Sequence, residues 1–590
     1  MDGVREWVRV SASLWVVTLW ACADPLDVVG QEEAVTESPQ TLQDDDLADK
    51  NPEYDPDRTV QEEFSGCRVT LNKSASVTRL SLSPLDGEDE PLDGRVFPSR
   101  QAALQELGDR PVMPSMEVVN GALKPFNDGL YAAVELGADD GSSGSPIDKR
   151  QILQDLLAEL VLRVEQGSGG EAAQARDAAA EIAAAIRLGG ETPTAPAAVS
   201  SEADALVALF DGDPTASRPI GFYTWLPELE ASFRRDRFLQ GRHPTAPSFG
   251  AFAATALVLG ENAELRARYQ QMLDLYAGLT NPFHDYPPGE LIPYVPDAAA
   301  LDDLGAIQAA FDQDHPPEYS EDLPACSAGL AFLPASDSPE DQMMRRLLCR
   351  PGATLEGDLM DYLIAEIQSG AIDLTPTESS GWYDHQLYAL ETPLLPDLAP
   401  ESEHLLLTRE YKEKLVDTFR SIVTQNRETH VRQLEIFDIP RSSTSAEIEP
   451  IEFDIYPKLV VEPFPTFYVR TARAYRFLQG MLETVLGTEF LSSTSRVLED
   501  GSRQDPSLGE ELDQIVTLLY GLHLRAADSI GMAPGLSDEE LAEYDVDSAR
   551  VRAEEWLAGW SSDLDVNRDP RVIVPVAITK ASMFFGLIAS

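Results

Sequence analysis

Residues 409–437 read REYKEKLVDTFRSIVTQNRETHVRQLEIF, and their periodicity sets the fold class. Tyr411, Leu415, Phe419, Ile422, Asn426, His430 and Leu434 recur at spacings of three and four, the stripe of an amphipathic helix. Lys412, Glu413, Asp417, Arg420 and Arg427 fall outside that stripe, on the side expected to face water. A helix from Thr408 to Phe437 would be about 45 Å long at ~1.5 Å per residue. Asn426 and His430 occupy the lower half of the buried stripe, where each needs a hydrogen-bond partner. The reading favoured here is a buried, structural His430, neutral and bonded to Asn426 one turn back.

Just upstream, Gly381–Thr392 reads GWYDHQLYALET and runs into a proline-rich joint at Pro393 and Pro396. Residues 381–437 hold three of the seven histidines: His385, His404 and His430. Asp384 and His385 could act as acid and oriented base, with Trp382 and Tyr383 stacking on a sugar or peptide ring. Adjacent helical residues point about 100° apart, so Asp384 and His385 need not touch. The catalytic candidates are Asp384, His385, Glu428 and His430, with Trp382 and Tyr383 as binding candidates. Asp563, Asp565, Asn567 and Asp569 alternate oxygen ligands as a calcium loop does. Arg568 stands where an EF-hand requires glycine, and Val574 where it requires the bidentate glutamate. No cofactor is identified, and calcium is the one metal left open. There is no HExxH, GxSxG, P-loop or GxGxxG after a strand, so no motif fixes a reaction.

Helical patterns recur over most of the chain. Ile152–Val164, Glu228–Leu239, Ala251–Ala277, Asp297–Asp314, Glu340–Leu348, Leu355–Ile367, Thr466–Leu486, Ser507–Ser529 and Asp538–Trp560 all read as helices. Ala172–Leu188 is alanine-rich, a strong helix former with little to bury. GADDGSSGSP before Ile152–Val164 and GGETPTAPAAVSS after Ala172–Leu188 read as loops. The expected architecture is mainly α: one large helical domain over 97–590, either an α/α toroid or an irregular bundle, closed by a β hairpin at about 571–588. Residues 64–96 read as a small β-rich or irregular segment, and 22–63 as a disordered acidic tether.

The 590 residues carry 101 acidic and 45 basic side chains, a formal net charge of −56. That balance argues against nucleic acid and anionic membrane surfaces as partners. A hydrophobic content of 43% is enough for a packed core. Val10–Ala21 is an apolar run of signal-peptide length, so residues 1–21 read as a cleaved leader. Its end, Leu19-Trp20-Ala21-Cys22, resembles the lipobox of bacterial lipoproteins. The resemblance implies lipid on Cys22, outer-membrane lipid as partner, and a place in the outer membrane or periplasm, with an envelope protein or glycan as ligand. Of the remaining cysteines, Cys326 and Cys349 are the expected disulfide, leaving Cys67 unpaired.

Val460–Ala474, VVEPFPTFYVRTARA, resembles a signature of large exported, mostly helical bacterial and archaeal proteins known as a domain of unknown function. Gly221–Thr224, Lys414–Gln433 and the ending VIVPVAITKASMFFGLIAS resemble other parts of that family, over roughly residues 220–590. In the long helix Arg427 stands where the family has histidine. The resemblance implies a mostly helical, exported protein and brings no activity. Function is thus open between an anchored protein with a binding or structural role and a glycan or peptide hydrolase around Trp382–His385.

Overall fold

The computed structural model describes residues 116–241, 247–316, 328–349, 358–404, 409–432, 434 and 461–563, together with short strand segments at 41–42, 60–64, 67–74, 77–84, 113–114, 406–407, 572–578 and 583–588. The described residues are mainly helical. The helical body begins with α1, Met116–Asp140, α2, Lys149–Gln166, α3, Gly170–Leu188, and α4, Ala197–Asp211. It continues through α5, Pro227–Leu239, α6, Phe249–Glu261, α7, Ala263–Leu279, and α8, Leu304–Asp314. Two short helices follow, α9, Pro339–Leu348, and α10, Leu359–Gln368. The last long elements are α11, Trp382–Leu394, α12, Arg409–Thr429, α13, Pro465–Val485, α14, Leu508–Ser529, and α15, Val546–Asp563.

Side-chain caps decide several boundaries. The run expected as one helix over 251–277 is two, because Asn262 accepts a hydrogen bond from Leu265 N and starts α7 there. Asp303 likewise accepts from Ala306 N, separating α8 from the turn before it. The run over 538–560 divides into Asp538–Glu543 and α15. Ser338 with Asp341, and Ser507 with Glu510, form capping boxes that open α9 and α14. α4 begins at Ala197, inside the stretch expected to be loop.

The alanine-rich helix corrects an expectation more sharply. α3 packs against α2, α4, α5 and α6, and Ala178, Ala179, Ala183, Ala184 and Ala185 are fully buried. The small side chains are what permit so many neighbours, since each methyl leaves room for an adjoining helix to approach. The second half of the body has a similar centre in α13, which packs on α11 and α14, while α14 packs on α15. α1 and α12 pack on each other, and α11 packs on α12.

The stripe of α12 faces inward as expected: Leu415, Phe419, Ile422, Asn426, His430 and Leu434 are all buried. Two details differ. α12 ends at Thr429, so His430 sits in the turn that follows. Arg427, expected in water, lies against Glu340 of α9 instead, with a guanidinium-to-carboxylate distance of 3.0 Å. At the C-terminus only strand backbone at Val572–Ile578 and Met583–Ile588 is described, with nothing of its side chains to support a packed hairpin.

The packing of α3 has a measurable consequence. Ala184→Leu should destabilise the protein by about 1–3 kcal/mol, because nothing around a fully buried methyl can move aside cheaply. Ala173→Leu, on the exposed face of the same helix, should stay within about 0.5 kcal/mol of the parent. Chemical denaturation of both variants measures the difference.

Candidate functional site

The residues singled out in 381–430 meet where α11 starts. Gly381 lies against the end of α7: a Cβ there would sit 2.2 Å from the Thr280 carbonyl oxygen, so only glycine fits. The same approach satisfies two amides at the α11 N-terminus. Tyr383 N donates to Thr280 O at 3.1 Å, and Asp384 N donates to the Asn281 side-chain oxygen at 3.1 Å.

This entry turns Trp382 and Tyr383 inward, and both are fully buried. Their rings meet His430 edge-on, with centroids at 5.3 and 5.1 Å, and Tyr131 closes a third side at 5.4 Å. Nε2 of His430 lies 3.1 Å from the Gln386 carbonyl oxygen, and Nδ1 lies 3.2 Å from Thr280 Oγ1. Gln386 Oε1 can only accept, so Nε2 carries the proton and Nδ1 accepts from Thr280. Thr280 Oγ1 in turn accepts from the Tyr131 hydroxyl at 3.0 Å. Burial, reinforced by Lys124 and Arg427, pushes the His430 imidazole down to about 3 and keeps it neutral. The expected partner was Asn426. That amide instead accepts from Asn120 Nδ2 at 3.4 Å, because α1 packs along this face of α12.

The other candidates lie elsewhere. Asp384 is half-buried, and burial pushes its carboxyl up to about 6 despite a hydrogen bond from Ser380. His385 stacks on Phe477 with centroids 4.2 Å apart, and burial lowers its imidazole. Glu428 is exposed and stands 3.9 Å from Lys124. Asp384, His385, Glu428 and His430 therefore do not form one constellation. Successive side chains leave α11 in different directions, and Glu428 sits on the outer face of α12. Trp382 and Tyr383 cannot stack on a ligand while they enclose His430.

Asp565, Asn567 and Asp569 lie outside the described residues, as does the Asp563 side chain, and so does Cys22. Among the described residues no group of three or more His, Cys, Asp or Glu side chains could hold a metal ion. Cys349 is disulfide-bonded, while Cys326 lies outside the described residues.

A charged cluster in the core went unread in the sequence. Glu135 of α1, Lys149 of α2, Asp236 of α5 and Arg432 are all at most 1% exposed. Lys149 Nζ stands 2.6 Å from Asp236 and 3.3 Å from Glu135, while Arg432 holds Glu135 at 2.8 Å. The Tyr223 and Tyr276 hydroxyls donate to the two Glu135 oxygens at 2.8 and 2.9 Å. Arg235 adds contacts to Asp139 at 2.5 Å and to Asp236 at 3.0 Å. Three carboxylates thus face three buried cations, and the half-buried Arg150 adds a fourth at 2.5 Å from Asp139. Burial alone would raise the Glu135 carboxyl, but Arg432 and Lys149 beside it hold it well below the usual carboxylate range. The available signal was a lone acid inside an apolar run, Leu130–Ala138, since an acid is almost never fully buried without a partner.

The stretch at 460–474 is also structural. Glu462 is buried and accepts a hydrogen bond from Met116 N at 2.5 Å, at the first residue of α1. Arg470 reaches Glu391 of α11 at 2.8 Å and lies 3.7 Å above the Tyr388 ring. No family model matches the chain, and no curated protein or solved structure matches it.

Three outcomes follow for stability. Lys149→Met leaves Glu135 and Asp236 short of a buried cation and should cost about 3–5 kcal/mol by denaturant titration. His430 is neutral in the folded chain down to about pH 3 but charges near 6.5 when unfolded, so its contribution is full above 6.5 and lost as pH falls toward 3. His430→Gln should flatten that acid-side slope. Glu462 behaves oppositely: burial, with Glu117 nearby, pushes its carboxyl up to about 8, so the folded chain holds a proton that the unfolded chain releases near 4.5. Stability from this group fades as pH rises from 4.5 toward 8, and Glu462→Gln should remove the fade in melts across that range.

Proposed function

We propose that this chain is an exported protein held at the cell envelope by lipid on Cys22, and that its helical body binds or braces a partner rather than carrying out catalysis. The observation that carries the second part is the enclosure of His430. A base must reach a substrate proton. Here the imidazole has both nitrogens engaged by Thr280 and Gln386 and three aromatic rings around it. Export and anchoring are supported by Val10–Ala21 and by the Leu19–Cys22 ending. The net charge of −56 supports a protein partner or neutral glycan over any polyanion.

The finer architecture fits an irregular bundle better than a toroid. A helix with neighbours on α2, α4, α5 and α6, as α3 has, is central, whereas a ring of helical hairpins has no central helix. A terminal β hairpin over 571–588 belongs to the same proposal.

The hydrolase alternative keeps one supporting observation. Asp384 is partly accessible and its carboxyl is pushed up to about 6, a range suited to proton transfer. It lacks the aromatic platform, because Trp382 and Tyr383 face inward.

The test uses the full chain expressed with its leader in a diderm bacterium. The mature protein should fractionate with membranes and show the added mass of a diacylglycerol, and Cys22→Ser should release it. Purified protein should not turn over peptidoglycan or peptide libraries. Membrane-bound Cys22→Ser would overturn the anchoring. Turnover lost in Asp384→Asn at an unchanged melting temperature would overturn the non-catalytic reading.

A further inference from the structure

Between α9, α10 and α12 lies a pocket of about 30 Å³. That is room for about two water-sized spheres, too small for an organic ligand and enough for a single ion. Its walls are Met343 and Met344 of α9, Met360 of α10, two leucines, and the paired side chains of Glu340 and Arg427. Methionine usually serves as a flexible gap-filler in a core. Here three methionines border a gap that they leave open.

The polar wall is an ion pair. Glu340 accepts from the Tyr383 hydroxyl through Oε1, which also stands 3.0 Å from the Arg427 guanidinium, while its Oε2 is buried with no hydrogen-bond partner. Glu340 is 5% exposed and Asp341, beside it, is 4% exposed. In the wall itself Glu340 and Arg427 offset one another, and Asp341, which lies outside the wall and accepts from Ser338, brings the neighbourhood to a formal excess of one negative charge. In such surroundings a single positive charge is worth far more than in water.

We propose that this pocket binds one soft monovalent cation, copper(I), on the thioether sulfurs of Met343, Met344 and Met360. Thioethers are soft, neutral ligands that select copper(I) over the hard divalent cations. Being neutral, they leave the ion's charge uncompensated, and the excess carboxylate supplies what they lack. Arg427 does not repel the ion unopposed, because Glu340 pairs with it directly.

The full-length protein is titrated with copper(I) kept reduced by ascorbate, in competition with a chromophoric copper(I) chelator. One equivalent should be withdrawn from the chelator, and X-ray absorption should show sulfur neighbours around the metal. Met343→Leu and Met360→Leu preserve volume and should keep the parent melting temperature. Each should weaken copper(I) binding by about 10-fold or more. Met481→Leu, away from the pocket, should bind as the parent does. Calcium and magnesium should not compete. No withdrawal of copper from the chelator would overturn the proposal, leaving the pocket to water. Withdrawal undiminished in both variants, or a first shell without sulfur, would overturn it equally.

Discussion

The cluster of Glu135, Lys149, Asp236 and Arg432 is the constraint on which the rest of this structure depends. These side chains come from α1, α2, α5 and the turn after α12, regions separated by up to 297 residues, and they meet where no water reaches. A buried ion costs several kcal/mol to desolvate, so each must find its counter-charge in the folded chain. The tyrosine hydroxyls of Tyr223 and Tyr276 fill the remaining acceptor sites on Glu135. Such a cluster adds little net stability compared with an apolar core of the same volume, but it penalises any arrangement that leaves one member unpaired. That is how it ties the N-terminal helices to α12.

Around that cluster the body is built by close approach. α3 uses alanine to sit among four helices, and Gly381 lets α11 start against the carbonyl end of α7. The second contact matters for what surrounds His430. Because α11 begins so close to Thr280, its first two aromatic side chains have only the interior to enter, and Gln386 one turn on falls beside the imidazole. Trp382, Tyr383 and His430, which look like chemistry in the sequence, are thereby packed between helices. The same holds for Glu462, just ahead of α13, which reaches α1, and for Arg470 within α13, which reaches α11.

Several of these outcomes were legible in the chain and several were not. The inward stripe of α12 could be read because burial of one helical face imposes a spacing of three and four on the sequence. The burial of His430 followed from its place in that stripe, but its partners did not: Thr280 and Gln386 are 150 and 44 residues away. The split at Asn262 was within reach, since an asparagine ahead of a helical run is a start signal. The depth of α3 was not, because alanine is equally at home on an exposed helix and in a crowded core.

Local physics thus settled what the sequence by itself determined: a mainly helical chain, most of its helix positions, the buried face of α12, and a strongly acidic charge balance. These depend on spacing, propensity and summed charge, all of which act within a few residues or over the whole chain at once. Tertiary structure alone decided which charges are buried together, why Arg427 leaves the water for Glu340, and that Asp384, His385, Glu428 and His430 point to different places. Coulomb and hydrogen-bond partners across a dry core are chosen by distance in space. Residues such as Glu135 and Arg432, 297 positions apart, carry no mark in the chain of the contact they will make.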